Sequence, residues 1–253
     1  MVSPPRSIGH NRSLVTPHYA MMPAEGILVS HLPGFEGTIV RFQTSPEMGA
    51  RFAQCLLEIT PGGGTTAPRD DGLEHFFFVV SGEAVVDSGE QQQRLTAGGF
   101  AYLPAGTRYA IRHAGAAQAN VLWVKRRYVG VPGMAAPTAR FGHRDSVAKT
   151  PFPGTGRWRQ LLLGTAAMEF DFEMNVMGFT PGDHFPAVET HIMEHGLVML
   201  QGQGLQLLGR DWHEIWTGDF IWMGPYCPQQ FFATGDGEAI YLLYKNVNRD
   251  VVL

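Results

Sequence analysis

The sequence predicts an all-β protein of two tandem small barrels or double-sheet jelly rolls. Laid on itself at an offset of 120, the chain keeps rare residues in register without a gap. Short apolar runs are closed by turn residues about every 8–12 positions, with no long stretch of helical period. Glycine and proline, 31 and 17 of 253 residues, are abundant for a helical protein and ordinary for one rich in turns. In the register, Pro61-Gly62 falls on Pro181-Gly182, Glu74-His75 on Glu194-His195 and Gly82 on Gly202. Gly98 falls on Gly218, Phe100 on Phe220, Gly115 on Gly235 and Lys125 on Lys245. Such self-similarity indicates a tandem duplication of units of roughly 100 residues.

Residues 1–35 read as an irregular arm, expected to cover a sheet edge or a neighbouring subunit. Residues 36–128 form the first barrel, where Phe76-Phe77-Phe78-Val79-Val80 ends at Ser81-Gly82 as a buried strand does. Residues 129–156, rich in proline, glycine and small side chains, connect the units. Residues 157–253 form the second barrel. There Leu197-Val198-Met199-Leu200 ends at Gln201-Gly202, and Gly204 to Leu208 alternates before a turn near Gly209-Arg210-Asp211. Trp212 to Trp216 and Gly218 to Met223 supply further strands, with Trp212, Trp216 and Trp222 expected in the core or a pocket wall. Closure into barrels removes the edges such strands would expose.

Composition narrows the function. The chain is 44% apolar and 17% charged, with 19 basic and 23 acidic residues and a net charge of −4, which argues against nucleic-acid binding through a basic face. No apolar run reaches the roughly 18 residues of a membrane span. Met1-Val-Ser-Pro-Pro-Arg lacks the apolar core of a signal peptide, and Cys55 and Cys227 make no disulfide framework. Cytoplasm is the expected compartment.

Histidine is scarce, yet His184, His191 and His195 fall within twelve residues. On an extended strand Glu189 and His191 share a face, and His195 returns to it at an even spacing. One carboxylate and two imidazoles converging in a barrel suit a divalent transition metal. Glu-x-His-x-x-x-His is only moderately specific, since a helix would also bring His191 to His195. His184, at odd spacing, is expected to cap or line the entrance.

The glycines and histidines resemble the two-part signature of cupins in both halves. In the second half Glu189 stands for the first His of the signature, His191 is retained, His195 replaces the Glu and Gln229 takes the place of the last His. All four can donate to a metal. In the first half the corresponding residues are Arg69, Asp71, His75 and Tyr109. Arg69 sets a permanent cation where a ligand is needed, so that unit is expected to be structural.

Over residues 8–253 the chain resembles the bicupin (S)-ureidoglycine aminohydrolases. The resemblance is carried by Glu189-Thr190-His191-x-x-Glu194-His195-Gly196, Met223-Gly224-Pro225-Tyr226-x-x-Gln229, Lys125-Arg126-Arg127-Tyr128 and Asn248-Arg249-Asp250-Val251. It implies a manganese(II) ion held by Glu189, His191, His195 and Gln229, and substrate binding by Glu189, Gln229, Tyr241 and Lys245. The implied reaction replaces the amine of (S)-ureidoglycine by hydroxyl, with Glu189 as proton shuttle and Lys245 as anchor of the substrate carboxylate. Gln206 departs from the expected tyrosine, which bears on the pocket wall. Lys125 is expected to be structural or interfacial. The expected partners are a small ureido acid and further copies of the chain, with neither nucleic acid nor membrane. The alternatives are another bicupin enzyme on a small carboxylic or sugar acid, an isomerase or dioxygenase, and a non-catalytic small-molecule binder.

Overall fold

The computed structural model describes residues 12–164, 168–246 and 250. Among them the structure is all-β, a bicupin of two successive barrels, and its helix is confined to the 3₁₀ turns Ala24–Gly26, Pro46–Met48 and Arg144–Ser146. No helix is long and apolar enough to cross a membrane among the described residues. The duplication is visible strand by strand: at the offset of 120, Ala119–Arg126 falls on Ala239–Asn246. Glu74–Ser81 likewise matches His195–Gln201, and Gly99–Leu103 matches Phe220–Met223, to within a residue. The first half forms a nine-stranded sheet, whereas the second is divided between an eight-stranded and a three-stranded sheet among the described residues.

Paired glycines make the hairpins possible. Gly82 and Gly202 both have left-handed backbone, with φ of 70° and 77°. A Cβ on Gly82 would lie 2.3 Å from the Gln118 carbonyl oxygen, and one on Gly202 2.8 Å from that of Glu238. Any other residue there is excluded twice, by φ and by contact.

Strand alternation builds three cores. In Glu74–Ser81, Phe77 and Val79 turn into the first barrel with Trp123 and Tyr109. Phe76 and Phe78 turn the other way, onto Phe172, Val176, Val198 and Tyr244 of the second unit. Leu197 and Met199 fill the second barrel while Val198 joins the seam between the barrels. Each large apolar side chain buried in this way contributes about 1.5–3 kcal/mol, so the seam is a core in its own right.

The chain's two irregular segments cover equivalent edges. Within the N-terminal arm, Tyr19–Met22 pairs antiparallel with Phe220–Met223 of the second barrel. Within the connecting segment, Arg140–His143 pairs with Gly99–Leu103 of the first. The arm is fixed by Arg12, whose guanidinium donates to both oxygens of buried Asp219 at 2.7 and 2.9 Å. The Asp219 carboxylate also accepts the Trp216 N–H at 2.8 Å.

The tryptophans divide. Trp222 is buried in the seam, but Trp212 is 48% exposed. Its strand, Asp211–Trp216, is an edge of the three-stranded sheet and turns this side chain to solvent.

Candidate active site

The second barrel encloses a cavity of about 460 Å³. Its wall follows from pleating. The antiparallel register sets Glu173, Lys245, His195 and Met223 side by side across four strands. A second row places Met177 beside Tyr241 and Tyr241 beside Met199. Because side chains alternate, the odd-numbered residues from Glu173 to Phe179 and from Tyr241 to Lys245 face inward.

The expected strand through Glu189 and His191 is instead a loop. Glu189 makes an isolated bridge with Gln229, each backbone N–H donating to the other's carbonyl at 2.9 and 3.0 Å. His191 lies in irregular backbone, and His195 opens the strand His195–Gln201. Pro181 and Pro186 cannot donate to a ladder, and Gly182 turns at φ 84°, so no continuous strand forms. His191 and His195 therefore meet through the path of the loop and not through a pleat. Tyr226 helps set that path. It is the one non-glycine with positive φ among the described residues, at 61°, and its N–H donates to the His191 carbonyl at 2.7 Å. His184 is exposed and stacks on Phe232 with ring centroids 5.1 Å apart.

The rings of His191 and His195 lie 4.7 Å apart, centroid to centroid. His191 Nδ1 is 3.1 Å from the Met193 carbonyl oxygen. A carbonyl only accepts, so Nδ1 carries the hydrogen and Nε2 keeps a lone pair. The Gln229 amide nitrogen donates to that Nε2 at 3.0 Å. His195 Nε2 is buried with no hydrogen-bond partner. Burial pushes the His195 imidazole well below its ordinary range, and His191 and Lys245 push it further, outweighing the opposing influence of the Gln229 amide, so the ring is neutral. Two imidazole nitrogens and an amide thus converge, one of them an orphan that would be costly to bury without a ligand. These residues fit a divalent ion.

The other expected site residues lie around this centre. Glu189 is exposed and lines the cavity, but its carboxylate does not gather with the two imidazoles; no cluster of three imidazole, carboxylate or thiol groups occurs among the described residues. Tyr241 is buried and its hydroxyl donates to Met177 Sδ at 3.5 Å. Burial first, then the Glu189 charge, push the Tyr241 hydroxyl up, so it stays protonated. Lys245 lines the cavity and makes no ion pair with a described residue. Gln206 is 2% exposed in the opposite wall. Asn248, Arg249 and Val251 of the resemblance lie outside the described residues. Sequence reasoning missed Glu173, Asn175 and Arg159 in the same wall. The signal for Glu173 and Asn175 was the period-two pattern of Phe172–Phe179, which cannot say which side of a fully buried strand faces a cavity, and Arg159 lies on the neighbouring strand Arg157–Leu163.

The first barrel shows the same backbone with other contents. An isolated bridge joins Arg69 to Tyr109 where Glu189 and Gln229 are joined in the second. His75 Nε2 lies 3.1 Å from Asp71, and His75 Nδ1 accepts the Trp123 indole N–H at 3.1 Å. The Tyr109 ring packs on His75 with centroids 4.4 Å apart. Burial pushes the Asp71 carboxyl up, but the hydrogen bond and charge of His75, the Leu73 N–H and Lys125 outweigh it and bring it down to about 2. The Lys125 ammonium sits 4.5 Å over the Trp123 ring.

The cupin domain model matches residues 55–125, within the first half. Over nearly its whole length the chain is similar to curated proteins. It is 32% identical to the (S)-ureidoglycine aminohydrolase of Escherichia coli K12, over 95% of this chain and 93% of the relative. It is 31% identical to that of Arabidopsis thaliana, over 96% of this chain and 80% of the relative. The crystal structure of the E. coli protein Ylba superposes with a TM-score of 0.87 at 29% identity, covering 96% of this chain and 97% of that one. With its two barrels and near full-length likeness, this chain belongs to the (S)-ureidoglycine aminohydrolase family.

Proposed function

We propose that the protein catalyses the manganese-dependent hydrolysis of (S)-ureidoglycine to (S)-ureidoglycolate and ammonia, a step of purine and allantoin breakdown. The observation that carries the reading is the meeting of His191, His195 and Gln229 beside the cationic Lys245 in one cavity. The names of the curated relatives supply the substrate. His191 and His195 would hold the ion, with Gln229 turning its amide oxygen inward and the Glu189 carboxylate swinging in from the cavity wall to join them; imidazole, amide oxygen and carboxylate form a mixed set suited to manganese. Bound there, manganese would polarise the substrate and make a water more acidic.

The remaining work falls to the chain's own groups. Lys245 pairs with the substrate carboxylate as a point charge. Tyr241, a protonated hydroxyl two rows from the metal end of the cavity, orients the substrate by hydrogen bonding. Glu189 takes a proton from the attacking water and delivers it to the departing nitrogen, so a C–O bond forms, the C–N bond breaks and ammonia leaves. The reading includes a cytoplasmic location and a homo-oligomer, the latter supported by Val15, Leu28 and Val29, which the arm exposes at 57%, 86% and 51%.

The test is ammonia release from freshly generated ureidoglycine by protein stripped of metal and reloaded with manganese, with enantiomeric analysis of the product. Manganese-dependent release of the (S)-product is expected. No acceleration over spontaneous decay in the loaded protein would overturn the assignment.

A further inference from the structure

Two buried amide oxygens in the cavity wall lack partners. Asn175 is 1% exposed, and its Nδ2 donates to Glu173 Oε1 at 2.8 Å. The amide nitrogen is the donor in this contact, which turns the amide oxygen the other way. That oxygen is buried with no hydrogen-bond partner. In the opposite wall, Gln206 Nε2 points to two acceptors, the Leu207 carbonyl at 3.2 Å and Met223 Sδ at 3.7 Å, which leaves Gln206 Oε1 as a second buried oxygen without partner. Both side chains line the cavity that holds Lys245 and His195.

Leaving a buried acceptor unpaired is costly, so two in one cavity call for a ligand that brings donors. A carboxylate cannot, since it is itself acceptor-only and would be repelled; its counterpart in this cavity is Lys245. The complementary group is one rich in N–H, and a terminal urea offers three such hydrogens on the two nitrogens of one carbonyl carbon. We propose that the amide oxygens of Asn175 and Gln206 form the subsite that recognises the ureido end of the substrate, with Glu173 positioning Asn175. Asn175 and Gln206 are then specificity-determining residues, and they select –NH–CO–NH₂ over groups of like shape that lack the terminal N–H donors. The inference rests on the reading of the site as one for a ureido acid.

Two unreactive probes test it on the manganese-loaded full chain: N-carbamoylglycine, which carries the urea, and N-acetylglycine, which has a methyl in place of the terminal NH₂. Binding of each is measured by calorimetry. Wild-type protein should prefer N-carbamoylglycine by about tenfold or more, the scale of unsatisfied buried acceptors. Asn175→Ala and Gln206→Met should each cut that preference several-fold while leaving N-acetylglycine binding within about twofold. Should Asn175→Ala show no cooperative melt, Gln206→Met decides. Equal affinity for the two probes, no measurable binding of N-carbamoylglycine at millimolar concentration, or a preference unchanged in the folded variants would overturn the subsite. Stereospecific ammonia release with equal probe affinities removes the subsite and leaves the proposed activity; the expected preference without ammonia release removes the activity and leaves a ureido-binding site.

Discussion

At the residue scale, the site joins groups with separable tasks. Glu189 is the exposed carboxylate of the cavity lining, tied by its backbone to the ligand position Gln229. Glu189→Gln should lower kcat by about 10²–10⁴-fold, the usual worth of a positioned proton carrier, with the melting temperature unchanged because the bridge to Gln229 is made by backbone atoms. A wild-type-like rate would remove Glu189 from the chemistry. Lys245 makes no ion pair among the described residues and is set directly between Glu173 and His195. Lys245→Met should raise KM by about 10–100-fold, the scale of a charge-assisted hydrogen bond. An unchanged KM would end its role as carboxylate anchor.

At the element scale, each barrel leaves an edge that a segment from outside the barrel covers. Phe220–Met223 is covered by Tyr19–Met22 and Gly99–Leu103 by Arg140–His143. The arm's hold depends on Arg12, because Asp219 is buried and burial raises its carboxyl while the Arg12 guanidinium opposes that rise. Removing the guanidinium leaves an uncompensated buried carboxylate, which costs about 3–5 kcal/mol. Arg12→Ala should therefore lower the melting temperature by several degrees and speed proteolytic cleavage of the arm; a variant as stable and as resistant as wild type would refute this. The strands themselves were legible, because turn glycines such as Gly82 and Gly202 obey local rules. The loop from Pro181 to Glu194 was not: spacing allowed a strand, and only the broken ladder opposite Gln229–Thr234 shows how its residues are held.

At the scale of the whole molecule, the seam decides whether the barrels act as one body. Phe52 stacks on Tyr244 across it, with centroids 3.9 Å apart. Phe52→Ala should cost about 3–5 kcal/mol and leave a single cooperative unfolding transition at lower temperature; two separated transitions would show barrels that fold alone. Beside that stack lies a buried charge network. Arg126 donates to the Tyr244 hydroxyl at 2.7 Å and approaches Asp171 at 3.1 Å and Glu74 at 3.5 Å, while the Tyr102 hydroxyl donates to Glu74 at 2.9 Å. Burial first, then Asp171, hold the Glu74 carboxyl well above the usual range. A carboxyl raised in the fold keeps a proton that the unfolded chain releases. Its stabilisation is thus full below the ordinary value of about 4.3 and is lost as pH rises from there toward the folded value. Glu74→Gln should flatten the decline in melting temperature between weakly acidic and alkaline pH. An unaltered decline would exclude Glu74 as its source.

The sequence by itself determined the duplication, the all-β class, the turn positions and the family, because these follow from local backbone rules and from residues whose spacing survives along the chain. It also selected His191, His195, Gln229, Tyr241 and Lys245, which the fold brings to one cavity. Only the tertiary structure decided which buried face of Phe172–Phe179 lines that cavity, and so revealed Asn175 and Glu173. It alone placed the arm on the second barrel and Asp171 against Arg126 across the seam. The physical reason is common to these cases: they are contacts between groups far apart in the chain, set by register and by the packing of two sheets, for which a linear pattern carries no coordinate.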